Sequence, residues 1–394
     1  MIGPGWDGDE PMLRPDTGEG GDSPRPRRIA VITGTRAEYG LLRTVMRSIQ
    51  ARADCELIVI AAGSHLIQPA LTFREVKADF EVADSVPMQV AGRRGRLEDA
   101  EAVGRGISRF VRSFRALEPD WVVVLGDRIE AFAAASAASI GWIGVAHLHG
   151  GDRAEGVADE AMRHAITKLA HLHLPATDDS RERILRMGER PEQVHTVGSP
   201  AIDELSTIDP LDDSAFTELG SPEVVFMFHP VGRHDEEEEL AASQILSALD
   251  GLPALALHPN QDPGRSGIVR AIDASAIPAR EHMARAAFVG LLKRLASTGG
   301  ILVGNSSAGL IEAAALTLPV VDIGPRQSGR LRPENVVHAD AERTPAVREA
   351  IERARSIPRD SMTHPYGDGR TGERAASIIA RSDPGPLLRK HNAY

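Results

Sequence analysis

The sequence predicts an α/β protein of two Rossmann-like domains, each a parallel sheet wrapped by helices, with a cleft between them. Three observations lead there. Short runs rich in Val and Ile alternate with longer stretches of helical period, the rhythm of β-α-β units. That rhythm lapses once, in "STIDPLDDSAFTELGSP" (residues 206–222), and then restarts. The length, 394 residues, also exceeds what one hydrophobic core ordinarily organises.

The elements follow in order. "RIAVITG", from Arg28, reads as a strand, and "EYGLLRTVMRSIQA" as a helix with Leu41, Leu42, Val45, Met46 and Ile49 on one face. "CELIVIAAG" is the next strand. "WVVVLGD" is nearly continuous in apolar residues, as a strand covered on both faces must be. The helix "RIEAFAAASAASI", the strand "WIGVAHLHGG", the helix "DEAMRHAITKLA" and the strand "HLHLPAT" complete a domain expected over residues 28–205. A second domain, expected over 206–370, opens with "EVVFMFHP" and a Glu-rich helix from about Asp235. "LPALALHPN", a helix near "FVGLLKRLA", the strand-to-helix stretch "ILVGNSSAGLIEAAAL" and "LPVVDIG" follow. The turn-rich "RDSMTHPYGDGR" leads into a last helix, "TGERAASIIARS".

Composition narrows the function. Hydrophobic residues make up 42% and charged residues 26%, the balance of a soluble globular chain. A formal charge of −11 argues against nucleic acid or an anionic membrane as the main partner. Aromatic content of 4% supplies few platforms for stacking bases. Small anions held by local arginines remain compatible. Cys55 is the one cysteine, which excludes a disulfide framework and a thiolate metal cage. No apolar stretch approaches the roughly 18 residues of a membrane span. Residues 1–27, rich in Gly, Pro and Asp, lack the apolar region of a signal peptide, and we expect a disordered extension and a cytoplasmic location.

In open α/β sheets ligands bind beyond the carboxyl ends of strands, where helix N-termini point. The side chains just past each strand are therefore the candidates. After "ILVG", the small residues Asn305, Ser306 and Ser307 let an anion approach backbone N–H groups closely, and the serines add hydroxyl donors. Glu312 would repel a phosphate and suits sugar hydroxyls instead, so a nucleoside diphosphate fits both halves. A Ser N-cap followed by an acid favoured by the helix dipole accounts for the same pattern. In "TGTRAEYG", Arg36 can offer its planar fork to a phosphate. "LGDRIEAF" sets Asp127 and Arg128 at the end of a buried strand. "HLHGGDRAEGVADEAMRHA" is densest in polar chemistry, with His147, His149, Asp152, Glu155, Asp159, Glu160, Arg163 and His164, groups suited to proton transfer at carbon. Metal ligation by the two His-Leu-His runs has no H-E-x-x-H or cysteine partner to support it. His229 and His258 each end an apolar strand before Pro, with Asn260 close to the second. The loop after "LPVVDIG" adds Arg326, Gln327, Arg330 and Arg332.

"TGTRAEYG", "LGDRIEAF", "HGGDRAEGVADEAMRHAITKLAHLH", "VGSPAID", "HPN", "GNSSAGLIEA" and "GPRQSGRLRPENV" together resemble, in order, the motifs of hydrolysing UDP-N-acetylglucosamine 2-epimerases, over about residues 28–380. The resemblance implies a GT-B fold whose last helix, about 371–383, packs back on the first domain. It implies UDP and N-acetylmannosamine as products, no cofactor, and a homodimer or homotetramer. It assigns Arg36, Arg128, Arg163, His229, Asn260, Ser306, Ser307, Glu312 and Arg326 to substrate and UDP, and proton transfer to Asp127, Asp152 and Asp159, with His229 beside the leaving diphosphate. Asp152 stands where the family usually has Glu, one methylene longer. A non-hydrolysing epimerase and a GT-B glycosyltransferase are the rival readings.

Overall fold

The computed structural model describes residues 25–68, 72–93, 95–153, 160–259, 263–340, 342–360 and 362–393. The expected extension up to residue 24 lies outside the described residues, as do Glu155, Asp159 and Asn260. The described residues form two six-stranded parallel sheets.

The first sheet comprises β1 (Arg27–Thr33), β2 (Cys55–Ala62), β3 (Val82–Val86), β4 (Trp121–Leu125), β5 (Gly144–Leu148) and β6 (Leu172–Leu174). Its helices are α1 (Arg36–Gln50), α2 (Phe73–Asp79), α3 (Arg96–Leu117), α4 (Ile129–Ile140), α5 (Glu160–Leu169) and α6 (Asp178–Arg186). After α7 (Asp213–Glu218) comes the second sheet: β7 (Val224–Met227), β8 (Ala254–Leu257), β9 (Ala279–Arg280), β10 (Ile301–Gly304), β11 (Val320–Ile323) and β12 (Val336–Ala339). Around it lie α8 (Asp235–Ala248), α9 (Arg265–Ala274), α10 (Arg285–Thr298), α11 (Ser307–Leu310), α12 (Glu312–Ala315) and α13 (Thr344–Arg355), and α14 (Thr371–Arg381) ends the helical series.

The strand orders are β3-β2-β1-β4-β5-β6 and β12-β11-β10-β7-β8-β9. Numbered from its own first strand, each sheet reads 3-2-1-4-5-6, so the chain repeats one Rossmann-like topology in a GT-B fold. Each order reverses once, between β1 and β4 and between β7 and β10. Those two switch points open the clefts in which such sheets bind ligands.

The apolar run of β4 has the predicted cause. Trp121, Val123 and Leu125 join a core under α1 and α14, whereas Val122 and Val124 join a separate core under α3 and α4. Truncating the fully buried Trp121 to Ala would cost about 3–5 kcal/mol. The last helix seats Ala375, Ala376 and Ile379 in the first core, after the chain has left the second sheet. Asp203, in the outgoing crossover, accepts from the backbone N–H groups of Thr371 (2.9 Å) and Gly372 (2.7 Å) in the returning one. The two crossovers thus hold one another. A small core of Ala176, Ile202, Leu205, Val289 and Tyr366 packs beside them.

The expected helix after Ser306 is interrupted. Two single turns, α11 and α12, meet at Ile311. Asn335 takes the Gly309 carbonyl (3.1 Å), together with that of Leu318 (2.9 Å), so the regular ladder is diverted there. Gly304 ends β10 at φ 150°, and a Cβ there would collide with the Met227 carbonyl on the neighbouring strand. We predict that Gly304→Ala destabilises the protein by roughly 2–4 kcal/mol, from backbone strain plus overpacking. Urea unfolding checks this, and an unmoved midpoint would contradict the packing described.

Candidate active site

The second sheet supplies a rigid turn. Asn305 is buried, and its amide accepts from the His229 N–H (2.7 Å) while donating to the His229 carbonyl (2.8 Å), locking the ends of β7 and β10 together. The Asn305 carbonyl in turn accepts from Arg326 Nη1 (3.2 Å) and Gln327 Nε2 (2.7 Å). The predicted anion turn, the histidine and the first arginine of the following loop therefore meet on one residue. Ser306 caps α11 by accepting from the Ala308 N–H at 3.4 Å. Burial, with Arg326 nearby, lowers His229 to about 3, so its ring is neutral near pH 7. A neutral imidazole can still donate a hydrogen bond. Glu312 is buried against Arg285, whose Nη1 lies 3.3 Å from its Oε1 and whose other Nη donates to the Ala201 carbonyl in the crossover.

The first sheet supplies the acids. His147, at the end of β5, donates to the Gly126 carbonyl (2.8 Å) and so fixes the turn that presents Asp127. Asp127 forms an ion pair with Arg163 of α5. Burial alone would push the Arg163 guanidinium down, but Asp127, Asp152 and Glu160 hold it above its ordinary value. Asp152 accepts from His149 Nδ1 (2.8 Å) on one oxygen and from Ser180 Oγ (2.7 Å) on the other. Burial works to raise this carboxyl. His149, Arg163 and Ser180 outweigh it and hold Asp152 well below the usual carboxylate range. His149 has φ 58°, which turns the chain sharply off β5, and its Nε2 lies 3.1 Å from Ser199 Oγ at the crossover. Glu160 begins α5, 3.4 Å from His164.

Arg128 is exposed at the start of α4, next to this cluster in sequence. Behind it, Glu130 and Glu38 are both buried, and burial together with Glu130 raises Glu38 well above the carboxylate range. A Cβ on Gly34 would stand 2.5 Å from the Glu130 side chain, so the glycine after β1 makes room for that acid. Across the cleft mouth, Arg36 reaches the His282 ring (Nη2–Nε2 2.5 Å) of the second domain and Glu75 (3.4 Å) of the first.

The two halves also meet at Arg330, named in the sequence without a role, and at Tyr366, which the sequence did not single out. Half-buried Arg330, in the loop after β11, is attracted by Asp152 and Asp127 and repelled by Arg163. The Tyr366 hydroxyl is raised chiefly by burial, then by Asp152, with Arg330 and Glu312 also acting on it. Ser199, Arg285 and Tyr366 thus join the predicted set, and His149 and Arg330, named in the sequence without an assigned role, acquire partners or neighbours in it. Arg330 carried a signal, as one of several arginines in one loop. Tyr366 lay in a turn-rich segment and Ser199 in the motif "VGSPAID", and the partners of both are distant in sequence.

His171 and His173 are internal. His171 Nδ1 accepts from the Val145 N–H (3.1 Å), and His173 pairs with Glu189 (3.0 Å). Among the described residues, no group of three or more His, Cys, Asp or Glu could hold a metal ion. A cavity of about 560 Å³ beside Arg28, Arg115 and Ile143 lies at the amino ends of the strands and shares nothing with this cluster.

The model of the UDP-N-acetylglucosamine 2-epimerase family matches residues 47–380. The chain belongs to that family. Among 2-epimerases, a UDP-N,N'-diacetylbacillosamine 2-epimerase (hydrolyzing) of Legionella pneumophila is 35% identical, covering 93% of this chain and all of that one. A UDP-N-acetylglucosamine 2-epimerase of Neisseria meningitidis serogroup B is 32% identical, over 90% of this chain and 95% of its own. The fold matches that of a Neisseria meningitidis UDP-GlcNAc 2-epimerase bound to UDP-GlcNAc, with a TM-score of 0.76 at 18% identity, over 90% of this chain and 100% of that one. No helix among the described residues of this 2-epimerase family member is long and apolar enough to cross a membrane.

The His229 environment sets a test. A histidine held low by the fold contributes stability that is present above its unfolded pKa, about 6.5, and is lost as pH falls toward 3. We expect the His229 ring resonances of the ligand-free protein not to titrate between pH 5 and 8. A midpoint near 6.5 by imidazole NMR would contradict the burial described.

Proposed function

We propose that this chain is a hydrolysing 2-epimerase of UDP-linked 2-acetamido sugars. Its substrate is UDP-N-acetylglucosamine or a related sugar such as a 2,4-diacetamido-6-deoxy form, and its products are UDP and the free 2-epimer. A biosynthetic route to sialic-acid-like sugars would consume that product. The reading rests on one juxtaposition: a rigid turn at Asn305–Ser307, suited to an anion, and a buried acid–arginine cluster around Asp127, with Arg330 of the loop that braces the turn attracted by Asp127 and Asp152. The Legionella relative, whose name specifies hydrolysis, supports the hydrolysing branch.

Residues 206–370 then carry most of the nucleotide contacts, and residues 28–205, completed by the last helix, carry the acids. Ser306, Ser307, Arg326 and Arg36 take the diphosphate, with neutral His229 as a donor, and Glu312 takes the ribose. Arg128, Arg163 and Asn260 complete the substrate contacts. The chemical obstacle is the hydrogen on sugar C2, which has no adjacent carbonyl and is barely acidic. As the C1–O bond breaks, its electron pair goes to the β-phosphate oxygen and positive charge develops beside C2. A carboxylate takes the C2 proton, and the C2–H electron pair becomes the C1=C2 bond of a glycal. Water then adds its oxygen to C1 and a proton reaches C2 from the opposite face. Atoms and charge balance as UDP-sugar plus water giving UDP plus the epimer.

Two proton-transfer groups on different faces are therefore needed, and Asp127, Asp152 and Asp159 are the groups we assign, without an order of roles. The local field keeps Asp152 ionised, which suits it to stabilise the developing positive charge.

Incubation with UDP-2-acetamido sugars in deuterated water tests the proposal. Free UDP and deuterium at C2 of the released sugar are expected. Asp127→Asn should lower kcat by about 10²–10⁴ while UDP still binds. Release of an intact epimeric UDP-sugar would replace hydrolysis with the non-hydrolysing outcome, and turnover without C2 exchange would end the epimerase reading.

A further inference from the structure

Most enclosed arginines around the cleft direct their Nη groups at a carboxylate. Arg43 binds Glu204 (2.6 Å), Arg163 binds Asp127 and Arg285 binds Glu312 (3.3 Å). Arg330 does not. Its guanidinium makes no hydrogen bond or ion pair with any described residue, and its Nε is enclosed without a partner. Asp127 and Asp152 attract it from beyond ion-pair distance, while Arg163, already paired with Asp127, repels it. Burial accordingly pulls the Arg330 guanidinium below its ordinary value. A partly buried cation whose Nε is enclosed and which has no acceptor is destabilising, and a fold retains one where another group supplies the negative charge.

The position of Arg330 narrows what that group is. Four residues earlier in the same loop, Arg326 holds the Asn305 carbonyl at the anion turn. Arg330 thus stands between that turn and the acids of the first sheet. Along a bound UDP-sugar, the place between the diphosphate and the reacting carbons is the β-phosphate and its bridge to C1.

We propose that Arg330 is a catalytic residue that grips the β-phosphate of UDP and receives the charge arriving on its bridging oxygen as the C1–O bond breaks. The assignment rests on the epimerase reading and adds a residue to it. Because Arg330 comes from the second domain and the acids that attract it, Asp127 and Asp152, from the first, it acts only when the two sheets face each other. Leaving-group stabilisation is thereby tied to the arrangement that also presents Asp127 and Asp152. The fork matters as well as the charge, since a planar guanidinium can donate to two phosphate oxygens at once.

Binding and stability measurements on Arg330→Met and Arg330→Lys separate this role from a structural one. Arg330→Met should lower UDP affinity at least tenfold and leave UMP affinity unchanged, because UMP has no β-phosphate. Its kcat should fall by roughly 10²–10³, the loss expected for one donor to developing negative charge. Its ligand-free Tm should stay the same or rise, since an uncompensated cation has been removed. Arg330→Lys, which keeps the charge, should retain part of the UDP affinity while kcat stays low. Unchanged UDP affinity in Arg330→Met, equal losses for UDP and UMP, or a fall in Tm with the loss of binding would each overturn the assignment. Should the wild-type protein bind UDP but leave UDP-sugars intact, the functional reading fails, while the UDP–UMP comparison still decides the place of Arg330.

Discussion

A fully buried arginine is costly without a carboxylate, and the pairing of Arg163 with Asp127 organises the floor of the cleft. Arg163 lies inside α5, almost fully shielded from water, and its charge is tolerable because Asp127 meets it from the end of β4. The pair fixes the distance between a helix and a strand end. Around it the other acids sort themselves: Asp152 feels Arg163 as well and is held ionised, with both oxygens already engaged by His149 and Ser180. Acidic groups this close would otherwise push one another toward the neutral form.

The same hydrogen-bond chain leaves the first domain. From Asp152 it runs through His149 to Ser199, whose backbone N–H donates to the Tyr366 carbonyl (2.9 Å) in the returning crossover. Arg285 makes the corresponding link from the second domain, joining Glu312 to the Ala201 carbonyl. The crossovers between the two Rossmann-like domains are thus linked to Asp152 through His149 and to Glu312 through Arg285. Moving Glu312 or Asp152 would therefore disturb, through Arg285 or His149, a contact to a crossover.

Much of the fold was legible because parallel sheets covered on both faces demand continuous apolar strands, and β4 carries that pattern openly. The shorter and more polar β3, "VADSV", gives little signal, and β9 is only two residues long. The break between α11 and α12 was not legible, since it depends on Asn335, a residue 26 positions from the carbonyl it captures. The site divides in the same way. Asp127, Asp152, His229, Ser306 and Arg326 stand just past strand ends, where a rule of α/β architecture places ligands. His149 is also past a strand end, but its pairing with Asp152 and Ser199 follows from a left-handed backbone turn that local sequence does not announce.

The sequence by itself determined the alternation of strands and helices, the lapse between the two halves, the family motifs and the side chains at strand ends. These are local properties, set by periodicity and by residues adjacent in the chain. Tertiary structure alone decided which charges became partners. It paired Arg163 with Asp127, gave Glu312 to Arg285, made His229 neutral and left Arg330 facing acids from the other domain. The reason is that burial and charge pairing depend on distances between segments that are not adjacent in the chain, 36 residues apart for Arg163 and Asp127 and 27 for Arg285 and Glu312, and those distances exist only once the sheets have formed.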